Sequence, residues 1–188
     1  MTWRKPMPSD ARMVFKGVIF EVWQWEQTIY DGSAVVFERL RRSDAAQVIL
    51  VVDGMILLQE QYQPDTDRFL SLPGGRCEPD ETPLQSAQRE LIEESGYESD
   101  EWELFQTDEP TGKIEWKNYT FIARGGGKKQ DTALDAGEKI THRWITFDDF
   151  LMLSDDPLFR SNSLIPTLLR ARLDPQKRED LKKRLGIA

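Results

Sequence analysis

Apolar positions alternate with polar ones in several stretches of this chain and recur at helical spacing in others, which predicts a mixed α/β molecule. Residues 15–25 (FKGVIFEVWQW) carry aromatic and β-branched side chains at the density of a strand. Asp31-Gly32 is a turn signal, and residues 33–40 follow it as the second arm of a hairpin. The same pattern is stronger in residues 47–52 (QVILVV) and 55–61 (MILLQEQ), joined by Asp53-Gly54, a two-residue link that favours a type I′ turn. This pair should be central sheet. Residues 69–72 form a short strand running into Pro73-Gly74-Gly75, whose glycines let the backbone turn tightly or approach a ligand. Later strands fall at residues 102–107, 117–123 and 140–145, with a turn at Pro110-Thr111-Gly112 and a mobile polar loop opening at residues 125–127. Helices are expected at residues 148–153, at 163–172, where Pro166 must sit in the first turn or break the helix, and at 177–185.

The segment 83–95 (PLQSAQRELIEES) is the most informative, because its helix signals and its charges conflict. Thr82 can cap a helix, Pro83 suits the first position, and Gln85 falls where a capping box needs Glu or Gln. Gly96 is the natural left-handed residue after the last turn. Leu84, Ala87 and Leu91 make the apolar stripe, and Glu90, Glu93 and Glu94 crowd one face beside it. Like charges at that spacing cost roughly 0.2–0.5 kcal/mol per pair, and the last turn is the unfavourable end of the helix dipole for them. A cation should offset them. Magnesium or manganese, hard ions that take carboxylate, water and phosphate oxygens, would do so. Arg89 is spaced to reach Glu81 and brace the preceding strap.

Gly75, Glu81, the run Arg89-Glu90-Leu91-Ile92-Glu93-Glu94 and Gly96 resemble the Nudix box at every charged and glycine position. Tyr97 stands where that family usually has an aliphatic residue. The resemblance implies an α/β/α sandwich with a mixed central sheet and extra antiparallel strands at the amino terminus. On this reading residues 1–40 supply those strands and residues 41–188 the hydrolase domain, within one compact unit. The implied reaction is attack of water on the pyrophosphate of a nucleoside diphosphate linked to another group, with Mg2+ or Mn2+ as cofactor. Carried over by position, Glu90 and Glu94 would be principal metal ligands, Glu93 a third ligand or the base, and the Gly74 carbonyl a further ligand. Gly75, Glu81, Arg89 and Gly96 would be scaffold. Members of the family take the general base either from the box or from a later loop. Glu93 and Glu138, the latter in Asp135-Ala136-Gly137-Glu138, are therefore the two candidates, with Glu115 as a rival.

Substrate signals lie outside the box. Residues 56–64 (ILLQEQYQP) resemble the LL-x-x-QYRP segment of ADP-ribose pyrophosphatases, with Gln63 in place of the arginine. Leu72-Pro73-Gly74-Gly75 stands for their Leu-Pro-Ala-Gly, and Ser71 for the glutamate before it. The amino-terminal strands resemble those that build a homodimer and its substrate cleft in nucleoside diphosphate sugar hydrolases. The expected substrate is ADP-ribose or a GDP- or ADP-hexose, cleaved to nucleoside monophosphate and sugar phosphate. The alternatives are pyrophosphohydrolysis of nucleoside triphosphates and a Nudix-shaped sensor that binds nucleotide without cleaving it. Complete box carboxylates argue for catalysis. Trp25 and Trp116 are candidates to stack a base, against the alternative of a core position. Arg68 and Arg76 could meet phosphate oxygens or stay solvated. His142, the only histidine, falls in an alternating strand, where a structural role is expected.

Composition narrows the setting. A 39% hydrophobic share of 188 residues suits one domain with a real core. The single Cys77 cannot form an internal disulfide, and no apolar run approaches the roughly 18–20 residues of a membrane span. Residues 1–10 are polar and proline-bearing rather than a signal peptide, so a cytoplasmic protein without a membrane partner is expected. The net charge of −8 disfavours nucleic acid and makes bridging metal more necessary for a polyphosphate substrate.

Overall fold

Asp53 and Gly54 adopt φ of 50° and 74°, the mirror-image turn whose twist matches two antiparallel strands. In a computed structural model, which describes residues 5–110, 112–134 and 137–188, this turn joins the two central strands. The strands in chain order are β1 (Arg12–Lys16), β2 (Glu21–Thr28), β3 (Ala34–Arg41), β4 (Ala45–Val52), β5 (Met55–Gln63), β6 (Thr66–Ser71) and β7 (Gly74–Arg76). Helix α1 (Pro83–Ser95) follows, then β8 (Tyr97–Glu98), β9 (Glu101–Asp108), β10 (Ile114–Glu115), β11 (Asn118–Arg124), β12 (Gly127–Lys128) and β13 (Lys139–Ile145). The chain continues through α2 (Phe147–Met152), α3 (Ile165–Leu173) and α4 (Pro175–Leu185).

The main sheet runs β13-β5-β4-β11-β9, with β4 and β11 parallel and the other pairs antiparallel. It is the mixed α/β sandwich expected from the sequence. Both faces of β4 are covered, which is why QVILVV shows no clean alternation. Val48 and Leu50 pack with Leu57, Phe121, Ala87 and Leu91 under α1. Ile49 and Val51 pack with Ile56, Leu58 and Ile122 under α2, α3 and α4.

The central hairpin splits, and the split makes the site. β4 and β5 pair only at Val51↔Ile56 and Val52↔Met55. Beyond that, β7 pairs with β4 at Ala45–Gln47 while β6 pairs with β5. The strap Leu72-Pro73-Gly74 therefore crosses between two diverging strands, fixed by Val48 N–H donating to the Pro73 carbonyl at 2.8 Å. An amino-terminal sheet, β1-β2-β3-β10, stands beside the main one, with β10 parallel to β3.

Two expectations change. Residues 15–25 are not one strand: β1 and β2 form a hairpin around residues 17–20, held by Gly17 N–H to the Phe20 carbonyl at 2.8 Å. The expected strand crosses that turn because Val18, Ile19 and Phe20 are apolar, yet Val18 is almost wholly exposed. The segment after residue 125 is tied down instead of loose. Gly127 and Lys128 pair with Glu98 and Tyr97, and Ala133 N–H donates to the Glu93 carbonyl at 2.7 Å. The turn expected at 110–112 is followed by the short β10, which a two-residue apolar pattern cannot announce; Thr111 itself, like Asp135-Ala136 in the Glu138 segment, lies outside the described residues.

Candidate active site

Helix α1 starts and stops where its sequence dictates. The Thr82 side chain accepts from Gln85 N–H, the Gln85 side chain accepts from Thr82 N–H, and Gly96 closes the helix at φ 75°. Ala87 and Leu91 are fully buried, which fixes the rotation of the helix and presents Glu90, Glu93 and Glu94 to the strap.

The three carboxylates meet different partners. Glu94, 5% exposed, accepts from the Gly74 backbone N–H at 2.7 Å and from Gln59 Nε2 at 3.2 Å. Gln61 Nε2 donates to Gln59 Oε1 at 2.7 Å, which leaves the Gln59 amide turned with its donor toward Glu94. Glu90 and Glu93 share Arg89, whose Nη1 donates to them at 2.9 and 2.8 Å. Arg89 is in turn held by both oxygens of Glu81, at 2.7 and 3.1 Å. This is the strap-to-helix brace predicted from spacing. Backbone contact requires the first strap glycine, whereas the second is crowded by the end of a side chain. A Cβ on Gly74 would stand 2.3 Å from the Ala46 carbonyl, and one on Gly75 would stand 2.4 Å from Glu90 Oε1.

The electrostatics are set by burial of carboxylates that stand close together. Burial pushes Glu94 up to about 8, against the hydrogen bonds from Gly74 and Gln59, and repulsion from Glu90 and Glu138 adds to it. Burial likewise raises Glu90, which also feels Glu93 and Glu138. His142 Nε2 lies 2.9 Å from the Glu94 carbonyl, so that nitrogen carries the proton and braces the last turn of α1. Among the described residues, no three acidic, histidine or cysteine side chains converge as they stand on one point able to hold an ion. The donor set nevertheless fits a hard divalent cation. It is all oxygen, and its desolvated carboxylates repel one another and so favour a cation beside them.

A cleft of about 300 Å3 contains this chemistry, lined by Gly74, Gly75, Glu90, Glu93, Glu94 and Glu138 together with Arg42 and Arg76. The structure thus brings the later-loop glutamate to the box glutamates. It does not bring every expected substrate residue there. Arg68 pairs with Glu60 at 2.9 Å and does not line the cleft. Trp25 is buried against Phe37, with ring centroids 6.0 Å apart. Trp116 borders a neighbouring hollow, which also receives the rival Glu115, itself paired with Arg41 at 3.4 Å. One face of the Trp116 ring is covered by the Arg42 guanidinium, 4.7 Å from its centroid. Arg42 was not a sequence candidate. It follows a strand as the second of two adjacent arginines, and only the junction of two sheets turns it into the cleft.

Fold and site together define an α/β enzyme built on a carboxylate helix and a glycine strap. Residues 41–165 match the NUDIX domain, and the chain belongs to that family of hydrolases. It is a Nudix pyrophosphohydrolase. Such enzymes generally use a divalent metal and act on small nucleotide substrates. The chain is 27% identical over 161 residues to the methanol dehydrogenase activator of Bacillus methanolicus, covering 82% of this chain and 86% of that one. It is 30% identical over 86 residues to the ADP-ribose pyrophosphatase of Bacillus subtilis (strain 168), 45% of this chain and 46% of the relative. It is 28% identical over 97 residues to the ADP compounds hydrolase NudE of Escherichia coli (strain K12), 50% and 52% of the two chains. The matches to these last two relatives span about half of their length. A crystal structure of an ADP compounds hydrolase superposes with a TM-score of 0.73 at 22% identity, covering 94% of this chain and 98% of that one. No helix among the described residues is long and apolar enough to cross a membrane.

Proposed function

We propose that the protein hydrolyses the pyrophosphate bond of a nucleoside diphosphate sugar, ADP-ribose or a GDP- or ADP-hexose, to nucleoside monophosphate and sugar phosphate. The observation that carries this reading is the convergence of Glu138 with Glu90, Glu93 and Glu94 on one cleft. Glu90, Glu94 and Glu93, with the Gly74 carbonyl, would hold Mg2+ or Mn2+. The bound metal would neutralise non-bridging phosphate oxygens and lower the pKa of a water. Glu138 takes the proton of the attacking water, with Glu93 as the alternative base. Gly75, Glu81, Arg89 and Gly96 keep the carboxylate wall in place, and Arg76 meets phosphate oxygens. Trp25, Arg68 and Trp116 are not used in this reading.

The ADP-linked names of two relatives and of the matching structure support the substrate class. Exposed Met13, Val14, Phe15 and Val36 on the amino-terminal strands support a homodimer formed through residues 1–40. Cytoplasmic location is part of the same proposal. Turnover of a sugar-nucleotide and triphosphate panel with magnesium tests it, beside Glu138→Gln. The variant should lose about 10²- to 10⁴-fold in kcat, the usual contribution of general-base catalysis. Full activity in Glu138→Gln transfers the base to Glu93, and pyrophosphate release from triphosphates alone replaces the substrate class.

A second reading has its own support in the long match to a protein named as an enzyme activator. In that reading the nucleotide site serves a partner enzyme. Binding of the panel without turnover would favour it.

A further inference from the structure

Among the described residues, the Arg42 guanidinium makes no ion pair. Its side chain leaves the β3–β4 joint, where its N–H donates to the Glu115 carbonyl at 3.3 Å. The guanidinium lies over the Trp116 ring at 4.7 Å and over Phe20 at 5.8 Å. Among the described residues, no carboxylate pairs with it, and its buried Nε has no hydrogen-bond partner. Burial first, and repulsion from Arg76 second, lower its pKa. A half-buried cation beside another cation and in no direct ion pair is unfavourable. The two flanking rings hold the group in one orientation while that cost is borne. Both arginines line the cleft that holds the carboxylates. Arg76 has Glu78 at 3.2 Å, on the exposed rim.

We infer that Arg42 is a specificity-determining residue that binds non-bridging oxygens of the substrate's diphosphate, with Arg76 as its partner in the same cleft. This rests on the pyrophosphatase reading above. The planar fork suits two oxygens of one phosphate group, and its contacts with the Phe20 and Trp116 rings mean less side-chain freedom is lost on binding. What Arg42 lacks among the described residues is an anion in direct contact, which a diphosphate entering the cleft supplies and a neutral sugar or base does not. Because Phe20 comes from the β1–β2 turn and Trp116 from the β10–β11 link, the amino-terminal sheet takes part in recognition by aiming this arginine.

The test is calorimetric titration of inorganic pyrophosphate in magnesium, beside steady-state hydrolysis of ADP-ribose, for wild type and Arg42→Met. The methionine keeps an unbranched apolar stem beside the rings and removes the charge. Loss of a charge-assisted hydrogen-bonding group predicts about 10- to 100-fold weaker pyrophosphate binding and a KM raised by a similar factor. The value of kcat should change far less than KM, since these oxygens are bound before and during reaction. A wild type that binds no pyrophosphate, or a folded Arg42→Met that keeps wild-type affinity and KM, overturns the assignment. Should Arg42→Met fail to fold, Arg42→Lys decides: charge without the flat fork should bind roughly 3- to 10-fold more weakly than wild type, and unchanged affinity overturns it. Failure of the hydrolase reading is seen separately, as absent turnover in wild type, while the pyrophosphate titration still reports on Arg42.

Discussion

The strap and helix α1 differ from the amino-terminal sheet in how each is held. In the first, every charged side chain that matters has a partner from nearby sequence: Arg89 with Glu81, Glu90 and Glu93, and Glu94 with Gly74. The second is four strands, one of them the two-residue β10 from far along the chain. All five residues of β1 are exposed. A rigid local unit can fix reacting groups to a fraction of an ångström. A sheet that leans on distant segments is better suited to shaping what enters, since its edges and faces can change without disturbing that unit.

Substitutions can break this contrast. Glu94→Gln should lower hydrolysis by about 100-fold or more, as loss of a ligand in an ordered site does. Its melting temperature should not fall, because the amide oxygen can still accept from Gly74 and Gln59 while the buried charge is gone. A variant with high activity, or one that unfolds, would remove Glu94 from the proposed machinery. Leu91→Ala, under β4 and β11, should cost about 2–5 kcal/mol in urea unfolding, the range for a fully buried leucine. A cost below that would mean α1 is less firmly seated than its zero exposure implies.

Glu81→Gln addresses the brace. The hydrogen bond from Arg89 is the main cause holding the Glu81 carboxyl below its ordinary range. Its contribution is therefore complete above the ordinary carboxylate pKa and is lost as pH falls through the lower folded value. The melting-temperature gap between wild type and Glu81→Gln should be widest near neutrality and close below about pH 4. A gap that persists in acid would assign the effect to packing. The smallest expected change is in the other region. Val36→Lys, at a position 66% exposed, should alter the stability of the folded chain by no more than about 0.5 kcal/mol. Sedimentation should nevertheless show loss of the proposed dimer, and an unchanged mass would move the dimer contact elsewhere.

The sequence made α1 legible to the residue because capping, stripe and stop signals act within a few positions of one another. The β4–β5 turn was legible for the same reason. The β1–β2 division was not, since the apolar run across residues 17–20 carries no break that periodicity can read, and β12 was read as loose because two residues show no pattern. Glu138 was named from its local string, but its approach to Glu94 depends on long-range pairing of the adjoining β13 with β5, beginning at Lys139↔Tyr62. Arg42 was invisible because nothing beside it in sequence marks an arginine without an anion.

By itself, then, the sequence determined the local unit: the capped helix, the glutamates on its face and the glycines that touch them, all set by short-range sterics and hydrogen bonding. Tertiary structure alone decided what surrounds that unit. The splitting of β4 from β5 admitted the strap, the pairing of β13 with β5 delivered the adjoining Glu138, and two sheets met around Arg42. Each of these depends on long-range strand pairing and on burial of charge, and neither is written in any single stretch of residues.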